Sequence, residues 1–138
     1  MSESEIRNHL RRKDRWVALT TTGPDGFPHT VPIGYFLYGD KIVMGCRDGS
    51  QKVKNIERND RVSVMWENGR GEPILKGVMF QGHARIVRDD SERLLLKGEA
   101  CAQRGQAAPE SLSPGAVYIE VRPIKTISWD NSSVTAAK

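Results

Sequence analysis

Residues 44–67 read MGCRDGSQKVKNIERNDRVSVMWE, a strand, a loop, a short helix and a second strand in immediate succession. MGC ends a β-type run, and RDGS is a loop that passes straight into QKVKNIER. Ser50 is a good N-cap residue, Val53 and Ile56 lie three apart on one helix face, and Lys54, Glu57 and Arg58 fall on the solvated side. That pattern alone describes a capped surface helix. Lys52, in the first helical turn, adds a second meaning. A helix start carries unpaired N–H groups and positive partial charge, so a lysine there makes a ready phosphate site. RVSVMWE then alternates Val62, Val64 and Trp66 against Arg61, Ser63 and Met65, the period of a half-buried strand.

Upstream, Ser2 with Glu5 forms a capping box that opens a basic helix running to about Lys13, within an N-terminal segment at 1–14. WVALTTT reads as a strand and GPDG at 23–26 as a tight turn. PHTVPIGYFLY follows as one long strand. Its Pro32 lacks an N–H, which implies a sheet edge, a bulge, or a place where a ligand replaces a neighbouring strand. Gly39-Asp40 turns the chain into KIVMGC, completing a hairpin. Downstream, the Gly-rich NGRGEP loop leads to ILKGVMFQGHARIV, a long strand carrying Gly77 and Gly82 where bulges or close approaches are expected. DDSERLLLKGEACAQRG is a second helix, with Leu94, Leu95, Ala100 and Cys101 as its candidate buried positions. AVYIEV and TISW close the sheet, and 131–138 is a loose tail.

Consecutive strands joined by tight turns make a mainly β domain of six or seven antiparallel strands with short helices, closed as a barrel. The 138 residues suffice for one domain spanning 1–138. GxGxxG after a strand, GxSxG and the P-loop sequence are all lacking, so a Rossmann enzyme, a covalent hydrolase and an NTPase are unsupported. His9, His29 and His83 are far apart and match no metal spacing; a metal site is not expected. Apolar runs are too short for a bilayer, residues 1–15 are charged rather than signal-like, and Cys46 and Cys101 form no disulfide framework. A cytoplasmic location without membrane attachment is therefore expected. The net charge of +4 suits an anionic cofactor or a nucleic acid equally. Binding of nucleic acid is not expected, because Phe36 and Tyr38 have no basic residue between or beside them. His29 and His83 read as structural, with nothing titratable beside His83 in the strand; Trp66 and Trp129 read as core or interface aromatics.

The order of these parts resembles the pyridoxamine 5′-phosphate oxidase-like family of flavin-binding split barrels, over roughly residues 15–130 and most specifically from Met44 to Gly82. The resemblance implies a homodimeric split β-barrel with a cofactor in each of two clefts between the subunits. It assigns cofactor phosphate contact to Ser50, Gln51 and Lys52, with Asn55 one turn further on and Cys46 where a hydroxyl residue often helps. It lays the strand containing Val31, Pro32 and Ile33 along the cofactor ring. Gly77 stands where the oxidases often carry a glutamine on the cofactor, and Gln51 where they usually carry arginine. The chain after Trp129 lacks the Arg- and His-bearing segment of true pyridoxamine phosphate oxidases, so vitamin B6 oxidation is not expected. Two cofactors fit: FMN, and the deazaflavin coenzyme F420, whose carboxylate tail would suit the basic N-terminal residues and Lys54. The implied activity is hydride transfer between that cofactor and a small unsaturated substrate, with no catalytic side chain required. The alternative is a non-catalytic barrel that binds flavin or haem.

Overall fold

A computed structural model describes residues 1–11, 16–69 and 71–132. The basic residues at 12–15 and the tail at 133–138 lie outside the described residues. The order of elements is α1 (Glu3–Leu10), β1 (Trp16–Thr22), β2 (Pro28–Gly34), β3 (Phe36–Tyr38), β4 (Lys41–Arg47), α2 (Gln51–Arg58), β5 (Arg61–Glu67), β6 (Lys76–Val87), α3 (Asp90–Gln103) and β7 (Ala116–Asp130). Among the described residues no helix is long and apolar enough to cross a membrane.

The strands form one seven-stranded antiparallel sheet in the order β2-β1-β5-β6-β7-β4-β3, curled into a half-barrel. Its two edge strands, β2 and β3, are separated in the chain by Tyr35 alone. The expected single strand PHTVPIGYFLY is thus divided, because it changes partner midway. Its first half pairs with β1 from Trp16↔Gly34 to Thr22↔Pro28. Its second half pairs with β4 from Phe36↔Val43 to Tyr38↔Lys41. One stretch of chain therefore bounds the sheet on both sides, and Pro32 sits on an edge, as its missing donor requires.

Alternation decides what faces inward. In β1 the odd-numbered Val17, Leu19 and Thr21 are buried, and in β5 so are Val62, Val64 and Trp66. They join Met44, Val78, Ile119 and Val121 in the main core. AVYIEV and TISW are one strand rather than two: β7 runs through Pro123 alongside β6, with a register irregularity between Gln81 and Gly82. A Cβ on Gly82 would lie 2.2 Å from the Arg122 carbonyl oxygen, so only glycine permits that approach.

The helices cover the ends and outside of the barrel. The capping box on α1 forms as expected: the Glu5 N–H donates to the Ser2 hydroxyl at 3.1 Å, and that hydroxyl lies 3.2 Å from the Glu5 carboxylate. Ile6 and Leu10 pack into the main core, and His9 stacks on Trp66 with centroids 5.0 Å apart. On α3, Leu94 and Leu95 are exposed, contrary to expectation, and Leu96 is the buried leucine. A second apolar cluster of Phe36, Val43 and Val87 selects it. Three consecutive leucines cannot share one helix face, and burying one such side chain is worth roughly 1.5–3 kcal/mol.

Candidate functional site

The start of α2 is open. Ser50 has the extended backbone of an N-cap, yet its side chain makes no capping bond. Its hydroxyl oxygen is buried, and beyond an interaction with the Cys46 thiol it has no partner among the described residues. The Lys54 N–H is bonded to the Ser50 carbonyl, so the N–H groups of Gln51, Lys52 and Val53 precede the first full helical turn and are the orphan donors of the helix. Lys52 is half-buried in this first turn. Beside it lies Cys46, from the end of β4. Burial pushes the Cys46 thiol up from its ordinary value, while the positive charge of Lys52 and the Ser50 side chain pull it back and Asp48 adds to the rise. Cys46, Ser50 and Lys52 thus lie close enough to act on one another.

β2 leaves the neighbourhood of β4 without pairing to it. Continued past Phe36↔Val43, the β3/β4 register would set Ile33 against Cys46 and His29 against Ser50. The ladder stops instead, and β2 turns away to pair only with β1, although parts of β2 and β4 stay within 8 Å of each other, Cα to Cα. A split results. One lip is the free edge of β2 with Val31, Pro32 and Ile33; the other is the end of β4 and the start of α2. Pro32 is exposed, Val31 half-buried, and Ile33 faces the core. Nδ1 of His29 is also buried, without a partner among the described residues. Buried polar atoms are normally satisfied. His29 Nδ1 and Ser50 Oγ are exceptions to that rule.

Asn55 and Gln51 are used differently. Asn55 is fully buried. Its amide donates to the Thr21 hydroxyl at 3.0 Å, and its carbonyl accepts from Gln51 at 2.8 Å and Arg58 at 3.2 Å. Arg58 also donates to the Thr22 carbonyl. This chain of bonds clamps α2 to β1 and folds the Gln51 side chain back along the helix. Gly77 is not part of the cluster. It lies on the outer face of β6 opposite Trp129, and a Cβ there would sit 2.2 Å from the indole.

Two groupings escaped sequence reasoning. Nδ1 of His83 lies 2.9 Å from the Asp60 carboxylate, so His83 does have a titratable neighbour, brought by the β5–β6 turnaround from 23 residues away. Arg88 grips Asp48 with two bonds of 3.0 Å and reaches Glu57 at 2.8 Å, tying the loop before α2 to the helix itself. Sequence spacing gave no signal for either, because sheet register creates both.

A curled antiparallel sheet whose two edges are formed by one stretch of chain defines a split barrel rather than a closed one. A family model described as pyridoxamine 5′-phosphate oxidase matches residues 3–130. The chain belongs to this family, whose solved relatives include flavin-type binders. The crystal structure of the conserved hypothetical protein Rv2991 from Mycobacterium tuberculosis is 29% identical, with a TM-score of 0.84 over 97% of this chain and 88% of that one. A FAD-binding protein from Mesorhizobium loti is 20% identical, with a TM-score of 0.73 over 96% of each chain. A structure named F420 reductase is 20% identical, with a TM-score of 0.63 over 87% of this chain and 94% of that one. Among curated proteins none matches significantly.

Proposed function

We propose that the chain is a flavin- or deazaflavin-dependent oxidoreductase that holds FMN or coenzyme F420 in the split between β2 and α2. The observation that carries this reading is the open start of α2, where the Ser50 hydroxyl makes no capping bond and Lys52 stands half-buried in the first turn. When bound, either cofactor supplies hydride transfer to or from a small unsaturated substrate. The chain's own residues hold and orient it. Lys52 and the N–H groups at the start of α2 bind the phosphate, and the Ser50 hydroxyl donates to it. The free edge of β2 offers backbone groups to the polar rim of the ring at Val31 and Ile33, and the Pro32 ring lies against it. Asn55 and Gln51 act one step removed, by fixing α2 in register with β1.

Trp16, Met65 and Ile127, all on the outer face, are exposed. This apolar stripe suits a two-fold dimer. In such a dimer, Gly77 and Trp129 on the outer face would approach the cleft of the partner subunit.

The test is a fluorescence titration of the apo-protein with FMN and, separately, with coenzyme F420, repeated on Lys52→Ala. Saturable binding of one of them, weakened about tenfold or more by the substitution, is expected for loss of a charged phosphate contact. Binding that Lys52→Ala leaves unchanged removes the phosphate role. A bound cofactor that no reductant or substrate can reduce or reoxidise makes the protein a carrier instead of an enzyme.

A further inference from the structure

Asp48 poses an electrostatic difficulty. It lies two residues before Ser50, in the loop that enters α2, and its carboxylate is close enough to the Cys46 thiol to act on it. A free carboxylate here would lower the potential felt by any anion at the helix start, and the orphan N–H groups would attract it in the anion's place. Arg88 meets that carboxylate with both Nε and an Nη, each at 3.0 Å. The same Nη bonds Glu57, near the far end of α2, at 2.8 Å. Arg88 is itself held: Arg93 donates to the Arg88 carbonyl at 3.1 Å and to the Ala116 carbonyl at 2.8 Å. The Asp48 side chain is thereby bonded to the segment between β6 and α3, with one oxygen also taking the Gly49 N–H at 2.9 Å.

We infer that Arg88 is a positioning residue for anion binding: it holds the Asp48 carboxylate away from the start of α2 and cancels its charge there. The inference rests on the phosphate reading of that helix start. It differs from a simple brace in one respect. A brace is broken equally from either end, whereas a residue that restrains a competitor becomes dispensable once the competitor is gone.

The experiment measures dissociation constants for FMN and for coenzyme F420, with inorganic phosphate as a competitor, on four proteins. These are the wild type, Arg88→Gln, Asp48→Asn and the double variant, each checked for folding by thermal melting. Arg88→Gln is expected to weaken binding roughly two- to fivefold, the scale of one charge at a helix terminus. Asp48→Asn is expected to bind at least as well as wild type, and the double variant to return within about twofold of it. Arg88→Lys, which keeps the charge and loses the fork, is expected to fall between Arg88→Gln and wild type. Equal losses in Asp48→Asn and Arg88→Gln, with no recovery in the double variant, overturn the inference and leave only a brace. A wild type that binds neither cofactor overturns the phosphate reading, and this inference with it.

Discussion

The Asn55 amide donates to the Thr21 hydroxyl at 3.0 Å, and both side chains are sealed from solvent between α2 and β1. Removing one partner of a buried hydrogen bond leaves the other unsatisfied, at a cost of about 1–3 kcal/mol. Asn55→Ala also frees Gln51 and Arg58. It is expected to lower unfolding stability by that amount and to weaken cofactor binding only secondarily. Urea denaturation checks the first point; retained affinity in the folded fraction checks the second. A large loss of affinity with unchanged stability would instead make Asn55 a direct ligand contact.

Gly77 and Trp129 form a cross-strand pair in which the indole occupies the space of the missing side chain. Gly77→Ala therefore has to displace the ring, an overpacking change that costs about 1–3 kcal/mol. Pairing it with Trp129→Ala is expected to recover most of the overpacking part. Double-mutant unfolding measurements test this, and additive losses would show that the contact is not shared.

Cys46 is expected to titrate above the ordinary thiol value of 9.0, because burial opposes its thiolate more strongly than Lys52 favours it. In a Cys101→Ser background, its alkylation should accelerate only at a pH higher than for a free thiol. Lys52→Ala should move the profile higher still, since it removes the charge that favours ionisation. The corresponding stability is full below the unfolded thiol's value and is lost as the pH rises toward the folded one. A Cys46 profile at or below that of a free thiol would contradict the burial.

The Tyr35 hydroxyl donates to the Leu10 carbonyl at 2.6 Å, at the C-terminal end of α1. Tyr35→Phe should cost about 1 kcal/mol and speed amide hydrogen exchange in α1 more than in the sheet. Uniform acceleration across the chain would mean that α1 and the barrel open together.

Much of the fold was legible because strands announce themselves by period. Val62, Val64 and Trp66 point inward as their spacing requires, and Pro32 foretold an edge. The break between Gly34 and Phe36 was not legible as a change of partner: Pro32 and Gly34 interrupt strand-forming residues, but they mark an edge or bulge equally well. The break comes from a change of neighbour, which no local propensity encodes. The choice of Leu96 over Leu94 and Leu95 likewise belongs to the cluster it meets. At the site, Ser50, Lys52 and Cys46 could be read together because they are adjacent in the chain.

The path of β2 has a consequence for how such a barrel diversifies. The opening exists because the backbone changes partners at Tyr35. Residues lining it can be exchanged one at a time without erasing the opening. A lineage is then free to trade one guest for another while keeping the same berth.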